Sequence, residues 1–449
     1  MLKKLLTILI FVFGIVNANP AEDMFSTAHW GICIINPKTQ EMVSHNASQL
    51  FVPASVTKLF TTAAALEGLG PTHAFDTVVK TTTLPDRDGK VFGNIYLIGG
   101  GDPTLTTKHL QELAKKVHAK GVRTIYGKLL VDCSRFSDHP LPTHAEWEDL
   151  GTDYGSEICA LSVNDNVISL TVIPNPKGED LAEIGLSQEV PICEIVNKVF
   201  TSKEAKYPSI TCYRGITNNC VNVVGVIPAS GSPATLSFSL HHPEEYAKKI
   251  FLKALSDNGI SFYDIRYSND IATSHEIARI SSMPMSEILK KMNKYSNNLI
   301  ADTLSRHNLT QPLQNVMAHM DIKPGEYFIY DGSGLSRHNL ISPFQVCKLL
   351  EYMKNSPYST AFVDSLPIAG LDGTLSKRFT NLPAGTVIRA KTGSMSGIAN
   401  VAGYVELPNK EELYFAFFIN NSKLGGKDTV AILDEYLVNV LKNHFPASP

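Results

Sequence analysis

Long apolar runs are scarce in this 449-residue chain. After the first twenty residues no stretch has the length and apolarity of a membrane helix. Charge of one sign is also lacking. Forty Lys and Arg nearly balance 43 Asp and Glu, for a net charge of −3. No basic block interleaves with aromatics, which argues against nucleic-acid binding, and no polybasic cluster suits an anionic lipid surface. None of the seven cysteines forms a Cys-x-x-Cys pair, which argues against a zinc ribbon or thioredoxin-like site. Gly-x-Ser-x-Gly does not occur, which disfavours a Ser-His-Asp hydrolase, and no His-x-x-x-His suggests a metal site. Neither a cofactor nor a metal is called for. Internal repeats and low-complexity tracts are absent too.

What is present begins with an export signal. Lys3 and Lys4 precede the apolar run Leu5 to Val16, followed by Val16-Asn17-Ala18. That order predicts a secretory signal peptide over residues 1–18 and an exported protein in the periplasmic or cell-wall space. Export permits disulfides. Cys212 and Cys220 are the closest pair in sequence and the expected bridge, whereas Cys33 and Cys347 lie in apolar segments as buried thiols.

"HWGICIINPKTQEMVSHN" predicts a hairpin turning at Asn36 to Thr39. "FVPASVTKLFTTAAALEGLG" predicts a buried helix with Ser55 in its first turn, stopped by Gly68, Gly70 and Pro71. Between about 80 and 280, short alternating runs and turns dominate, with helices near 109–120 and 244–258. We read this as two nested strand-rich insertions. "MSEILKKMNKYSNNLIADTLSRH" predicts two amphipathic helices broken at Ser296-Asn297-Asn298. "TVIRAKTGSMSGIANVAGYVEL" and "ELYFAFFINN" predict three successive strands, and residues 429–443 a core-facing terminal helix.

Chemistry concentrates at three points. On a helix, residues i and i+3 share a face, so Lys58 can place its amine beside the Ser55 hydroxyl. A lysine in an apolar helix loses solvation, its pKa falls, and the neutral amine can act as a base. Ser55 is the only serine with a lysine three residues on. Without partners, such a serine is more commonly a helix cap and such a lysine a snorkelling side chain. Second, the break at Ser296 projects a hydroxyl and the Asn298 amide together, suited to proton relay and to holding a substrate backbone. Third, Lys391-Thr392-Gly393 ends a strand along which a peptide could lie as an added strand, with Gly393 permitting close approach. Ser-x-x-Lys, Ser-x-Asn and Lys-Thr-Gly in this order form the motif set of β-lactamases and penicillin-binding proteins.

Beyond these motifs the sequence resembles the three-domain D-alanyl-D-alanine carboxypeptidase/endopeptidases, the class C low-molecular-mass penicillin-binding proteins. The likeness rests on "LIGGGDPTL", "LSVNDN", "YDGSGLSRHNLISP", "LPIAGLDGTLSKRF" and "KTGSMSGIANVAGY". It implies an α/β (α+β) transpeptidase/β-lactamase-like domain, its antiparallel sheet flanked by helices, over residues 19–80 and 281–449. One inserted domain would cover 81–160 and 229–280, and a second, nested within it, 161–228. The resemblance implies that Ser55 is acylated by the D-Ala-D-Ala end of a peptidoglycan stem peptide, or by a β-lactam. Lys58 would be its base, and Ser296 with Lys391 would relay the proton to the leaving amine. Asn298 would contact the substrate amide, the backbone N–H groups of Ser55 and Ser394 would form the oxyanion hole, and Thr392 would help bind the terminal carboxylate. Met395, Arg337 and Asp149 match positions around the stem-peptide pocket. "GGGDP" reads as a structural turn, since no Gly-Lys-Ser/Thr follows it.

A β-lactamase would share the nucleophile but hydrolyse the acyl-enzyme quickly. Its water-positioning glutamate has only a crude counterpart in Glu351 to Asn355, read as an exposed helix face, and the second motif is Ser-Asn-Asn rather than Ser-Asp-Asn. A non-catalytic wall-binding or penicillin-sensing module would be favoured by loss of a motif residue, and all are present. The sequence leaves open the oligomeric state, the third stem residue, and the balance between trimming a terminal D-alanine and cutting cross-links.

Overall fold

The computed structural model describes residues 25–136, 139–178, 180–187, 192–265 and 274–445. The expected signal peptide lies outside them. A five-stranded antiparallel sheet unites the two ends of the chain, in the order Val387–Met395, Ile398–Glu406, Glu412–Asn420, His29–Ile35 and Met42–His45. The predicted hairpin and the three predicted C-terminal strands are all in it.

Strand periodicity explains why its central strands are apolar throughout. Successive side chains point to opposite faces, and here both faces are covered. Phe415, Phe417 and Ile419 pack with Leu433 and Leu437 of the terminal helix Gly426–His444. Ala416 and Phe418 face the other way, into a core built on the helix Lys58–Leu69. That helix is buried almost to its end, from Leu59 through Leu66. Around it lie the helices Met285–Tyr295, Asn298–Ser305, Thr310–His319 and Pro343–Asn355. The core is thus a helical layer on one face of the sheet, with a single long helix on the other.

The central helix departs from expectation at both ends. Ser55 is not in its first turn but in a 3-10 turn, Ala54–Thr57, that leads into it. Gly70, at φ 80°, ends the helix as expected. Gly68 lies inside it, where a Cβ would meet the Pro312 ring at 2.7 Å. Gly68 therefore serves close helix packing rather than termination.

Residues between the strands Asp76–Thr81 and His275–Ser281 form a strand-rich region with its own continuous apolar cluster. Those two strands pair antiparallel, so the region leaves and re-enters the helical layer side by side. Four small sheets and the helices Thr107–Ala119 and Pro243–Asp257 build it. The expected Cys212–Cys220 bridge does not form. Both lie in one three-stranded sheet, but register places Cys212 opposite Val223, not Cys220. Strand pairing, not sequence proximity, sets which side chains meet. Among the described residues, no helix is long and apolar enough to cross a membrane.

Candidate active site

The 3-10 turn, the break between two helices and the edge strand Val387–Met395 converge on one cleft. Lys58 is the first residue of the central helix and is fully buried. Its Nζ lies 2.9 Å from Ser55 Oγ, donates to Asn298 Oδ1 at 2.7 Å, and donates to the Ser333 carbonyl at 2.6 Å. Ser55 is only partly buried, so the pair has one enclosed and one accessible member. Burial lowers Lys58 from 10.5 to about 8, while Asp302 and Asp331 pull it upward.

Ser296 closes the helix Met285–Tyr295 in a left-handed conformation, φ 56°. Asn297 then caps the next helix, accepting from Ile300 N at 2.8 Å. This abrupt restart turns Ser296 toward Lys391, whose Nζ donates to Ser296 Oγ at 2.9 Å and to the Thr392 carbonyl at 2.7 Å. Lys391 is fully buried, and burial followed by repulsion from Lys58 holds it well below its ordinary value. It is therefore a second desolvated amine paired with a second hydroxyl.

The Lys391 strand lies at the sheet edge, with Ser394 exposed. Gly393 also has a reason for its small size within the chain itself. A Cβ there would stand 2.5 Å from the Pro53 carbonyl and 3.2 Å from the Ser55 amide nitrogen. The missing side chain lets the strand close on the turn that carries Ser55, which brings the Ser55 and Ser394 backbones to one cleft. Thr392 Oγ1 donates to Thr374 Oγ1 at 2.9 Å. Met395 ends the strand, partly buried.

Asn298 is held at both ends of its amide: Oδ1 accepts from Lys58, and Nδ2 donates to the Tyr154 carbonyl at 3.0 Å, which leaves its second N–H for another partner. Arg337 pairs with Glu146 at 2.8 Å and reaches the Ser396 carbonyl at 3.5 Å. Asp149 is raised by burial and then by Glu146, with Tyr154 and Arg337 acting the other way. Arg337 and Asp149 therefore sit in one electrostatic neighbourhood.

Sequence reasoning assigned no role to two buried carboxylates. Asp302 Oδ1 accepts from Gly332 N at 3.0 Å and Ser333 N at 2.9 Å. Asp331 accepts from Gly334 N at 2.8 Å, Ser336 N at 2.6 Å and Asn339 Nδ2 at 2.6 Å. Together they fold "DGSGLS" into a tight turn that delivers the Ser333 carbonyl to Lys58. Burial, then Asp331, raises Asp302 to about 7. A signal existed: Asp302 follows Asn298 by four residues, on the same helical face, in an otherwise apolar run. The "NDN" of 164–166 also gains a reason. All three residues have positive φ, which Asn and Asp tolerate best, and Asp165 Oδ1 accepts from Asn297 Nδ2 at 3.0 Å.

Gly334 tests the turn. It has φ 85°, and a Cβ would lie 1.9 Å from the Ala54 carbonyl. Gly334→Ala is expected to cost at least about 2 kcal/mol, from backbone strain plus displacement of the Ser55 turn. A lowered urea midpoint would show it; an unchanged midpoint would mean that the turn yields freely.

The profile of the D-Ala-D-Ala carboxypeptidase 3 (S13) family matches residues 16–440. A D-alanyl-D-alanine carboxypeptidase of Actinomadura sp. (strain R39) is 31% identical over 438 residues, spanning 91% of this chain and 80% of the relative. The crystal structure of penicillin binding protein 4 (dacB) from Haemophilus influenzae superposes with a TM-score of 0.81 at 28% identity, covering 94% of this chain and 99% of that one. The same protein complexed with a β-lactam superposes with a TM-score of 0.74 at 25% identity, with the same coverage.

Proposed function

Because the chain belongs to the D-Ala-D-Ala carboxypeptidase 3 (S13) family, we propose that it is a serine DD-peptidase acting through an acyl-enzyme on Ser55. The observation that carries the reading is the 2.9 Å approach of a fully buried Lys58 amine to the Ser55 hydroxyl.

Neutral Lys58 takes the Ser55 proton as Oγ attacks the carbonyl carbon of the penultimate D-alanine. The developing oxyanion is held by the N–H groups of Ser55 and Ser394. The C–N bond breaks, and the departing amine takes its proton from Ser296, which regains one by way of Lys391 from the proton that Lys58 took from Ser55. Water then attacks the ester with the same groups in reverse order. The edge strand takes the peptide backbone, and Thr392 with Thr374 takes the terminal carboxylate. At pH 7 an amine with a pKa of about 8 is neutral in about a tenth of molecules, a usable fraction for a base.

The same attack cuts a cross-link when the leaving amine belongs to a neighbouring stem, so we propose endopeptidase activity beside carboxypeptidase activity. The natural substrate is peptidoglycan, β-lactams acylate Ser55 as substrate mimics, and the protein works outside the cytoplasm. Asn298, held by Lys58 and Tyr154, turns one of these bonds over to the substrate amide. Arg337 and Asp149 face the stem side chain.

Purified protein incubated with stem peptides ending in D-Ala-D-Ala, and with cross-linked dimers, is expected to release D-alanine and stem monomers detectable by mass. Stable penicillin labelling with no product from either substrate would overturn the hydrolase and leave a penicillin-binding module.

A further inference from the structure

We propose that Cys133 and Cys159 form a disulfide site that clasps the base of a strap running across the candidate active site. Their sulfurs approach to 3.2 Å, although the residues are 26 positions apart. That proximity is set by backbone, not by a chance rotamer. Asp132, just before Cys133, accepts from Gly99 N at 2.9 Å, and Ala160, just after Cys159, accepts from Gly101 N at 3.1 Å. One short segment therefore holds both cysteines side by side, with their sulfurs in contact.

The strap comprises the described residues between the two cysteines, 134–136 and 139–158, and its contacts run to the catalytic layer. Arg135 reaches His307 at 3.2 Å, Glu146 pairs with Arg337 at 2.8 Å, and the Tyr154 carbonyl accepts from Asn298 Nδ2 at 3.0 Å. A bond at its base removes much of the freedom the strap has when it lifts away, and so favours the conformation that meets Asn298.

Access is present. A cavity of about 280 Å³ opens beside both thiols, lined also by Phe136, His139 and Arg306. Cys159 is 6% exposed and Cys133 only half-buried, so Cys133 is the sulfur an incoming reagent meets first. The other close thiols, Cys33 and Cys347, are completely buried in the helical core and lack such an opening.

The oxidant is a low-molecular-mass or protein disulfide, RSSR. The Cys133 thiolate attacks one of its sulfurs, breaks the S–S bond and releases RS⁻. Cys159, losing its proton, attacks Cys133 of the mixed disulfide and releases a second RS⁻. The two electrons from the protein thiols reduce RSSR to two thiols, which take up the two protons.

The test exposes reduced, folded protein to oxidised glutathione, blocks remaining thiols after denaturation, and maps peptides by mass. Two of the seven alkylatable thiols are expected to vanish, with one peptide joining Cys133 to Cys159. Proteolytic cleavage within the strap is expected to slow at least about tenfold in the oxidised form. Cys133→Ser, and separately Cys159→Ala, should cleave at one rate with or without oxidant. Seven reactive thiols after exposure, separate glutathione adducts, or a different pairing would overturn the site. A 133–159 link that leaves cleavage unchanged, or oxidant protection that survives in both variants, would overturn the clasp. None of these readouts uses the proposed hydrolysis, so the two readings fail independently.

Discussion

Replacing Ser55 with alanine is expected to abolish covalent labelling by a fluorescent penicillin and to lower kcat/KM on D-Ala-D-Ala peptides by at least about four orders of magnitude. The size of the effect follows from chemistry that nothing nearby can replace. Ser55 Oγ is the hydroxyl at hydrogen-bond distance from Lys58 Nζ, and Ser296 is bonded instead to Lys391. Folding should be barely affected. The helix N-cap is Thr57, not Ser55, so the unfolding free energy from urea titration should stay within about 0.5 kcal/mol of wild type. Equal labelling of the two proteins would remove Ser55 from the mechanism.

Lys58→Ala is expected to slow acylation by about three orders of magnitude while the protein remains folded. Alanine removes the base and leaves three acceptors, Ser55 Oγ, Asn298 Oδ1 and the Ser333 carbonyl, around a small space. The pH profile distinguishes a lost base from lost packing. In wild type, acylation should rise with pH as Lys58 loses its proton, levelling off above an apparent pKa of about 8. That value belongs to a network with Asp302, Asp331 and Lys391. Asp302→Asn removes the leading group that pulls Lys58 upward, so the rising limb should move to lower pH. The alanine variant should lose the limb altogether. Retained acylation in Lys58→Ala with the same rising limb would contradict the proposed base.

Stability carries the same sign. Folding lowers Lys58 from 10.5 to about 8, so the unfolded chain binds more protons between these values. The penalty for burying this amine is full below about pH 8 and fades as pH rises toward 10.5. Asp302 works oppositely. Raised from 3.8 to about 7, it makes the folded chain bind more protons, and its share of stability falls as pH rises through that window. Lys58→Ala should flatten the alkaline part of the stability profile.

How much of this was legible beforehand varies by element. The strands of the large sheet could be read because their apolar runs, bounded by turns, are local patterns. The helix pair around Ser296 could be read from its spacing, and the pairing of Ser55 with Lys58 from a three-residue interval. The role of Gly393 could not, because the clash it avoids is with Pro53, far away in the chain. The expected disulfide failed for the same reason: Cys212 and Cys220 are near in sequence, but register sets them apart.

Taken alone, the sequence determined the order of elements and the pairing of Ser55 with Lys58, since sterics and periodicity act over a few residues, while the fold class and the second serine–lysine pair were expected from the resemblance to a known family. Tertiary structure decided which groups surround them. Lys58 meets Asn298 and Ser333 across 240 and 275 positions, and Lys391 meets Ser296 across 95. Such meetings depend on how the whole core packs, and no local preference of the backbone encodes a contact between segments that far apart.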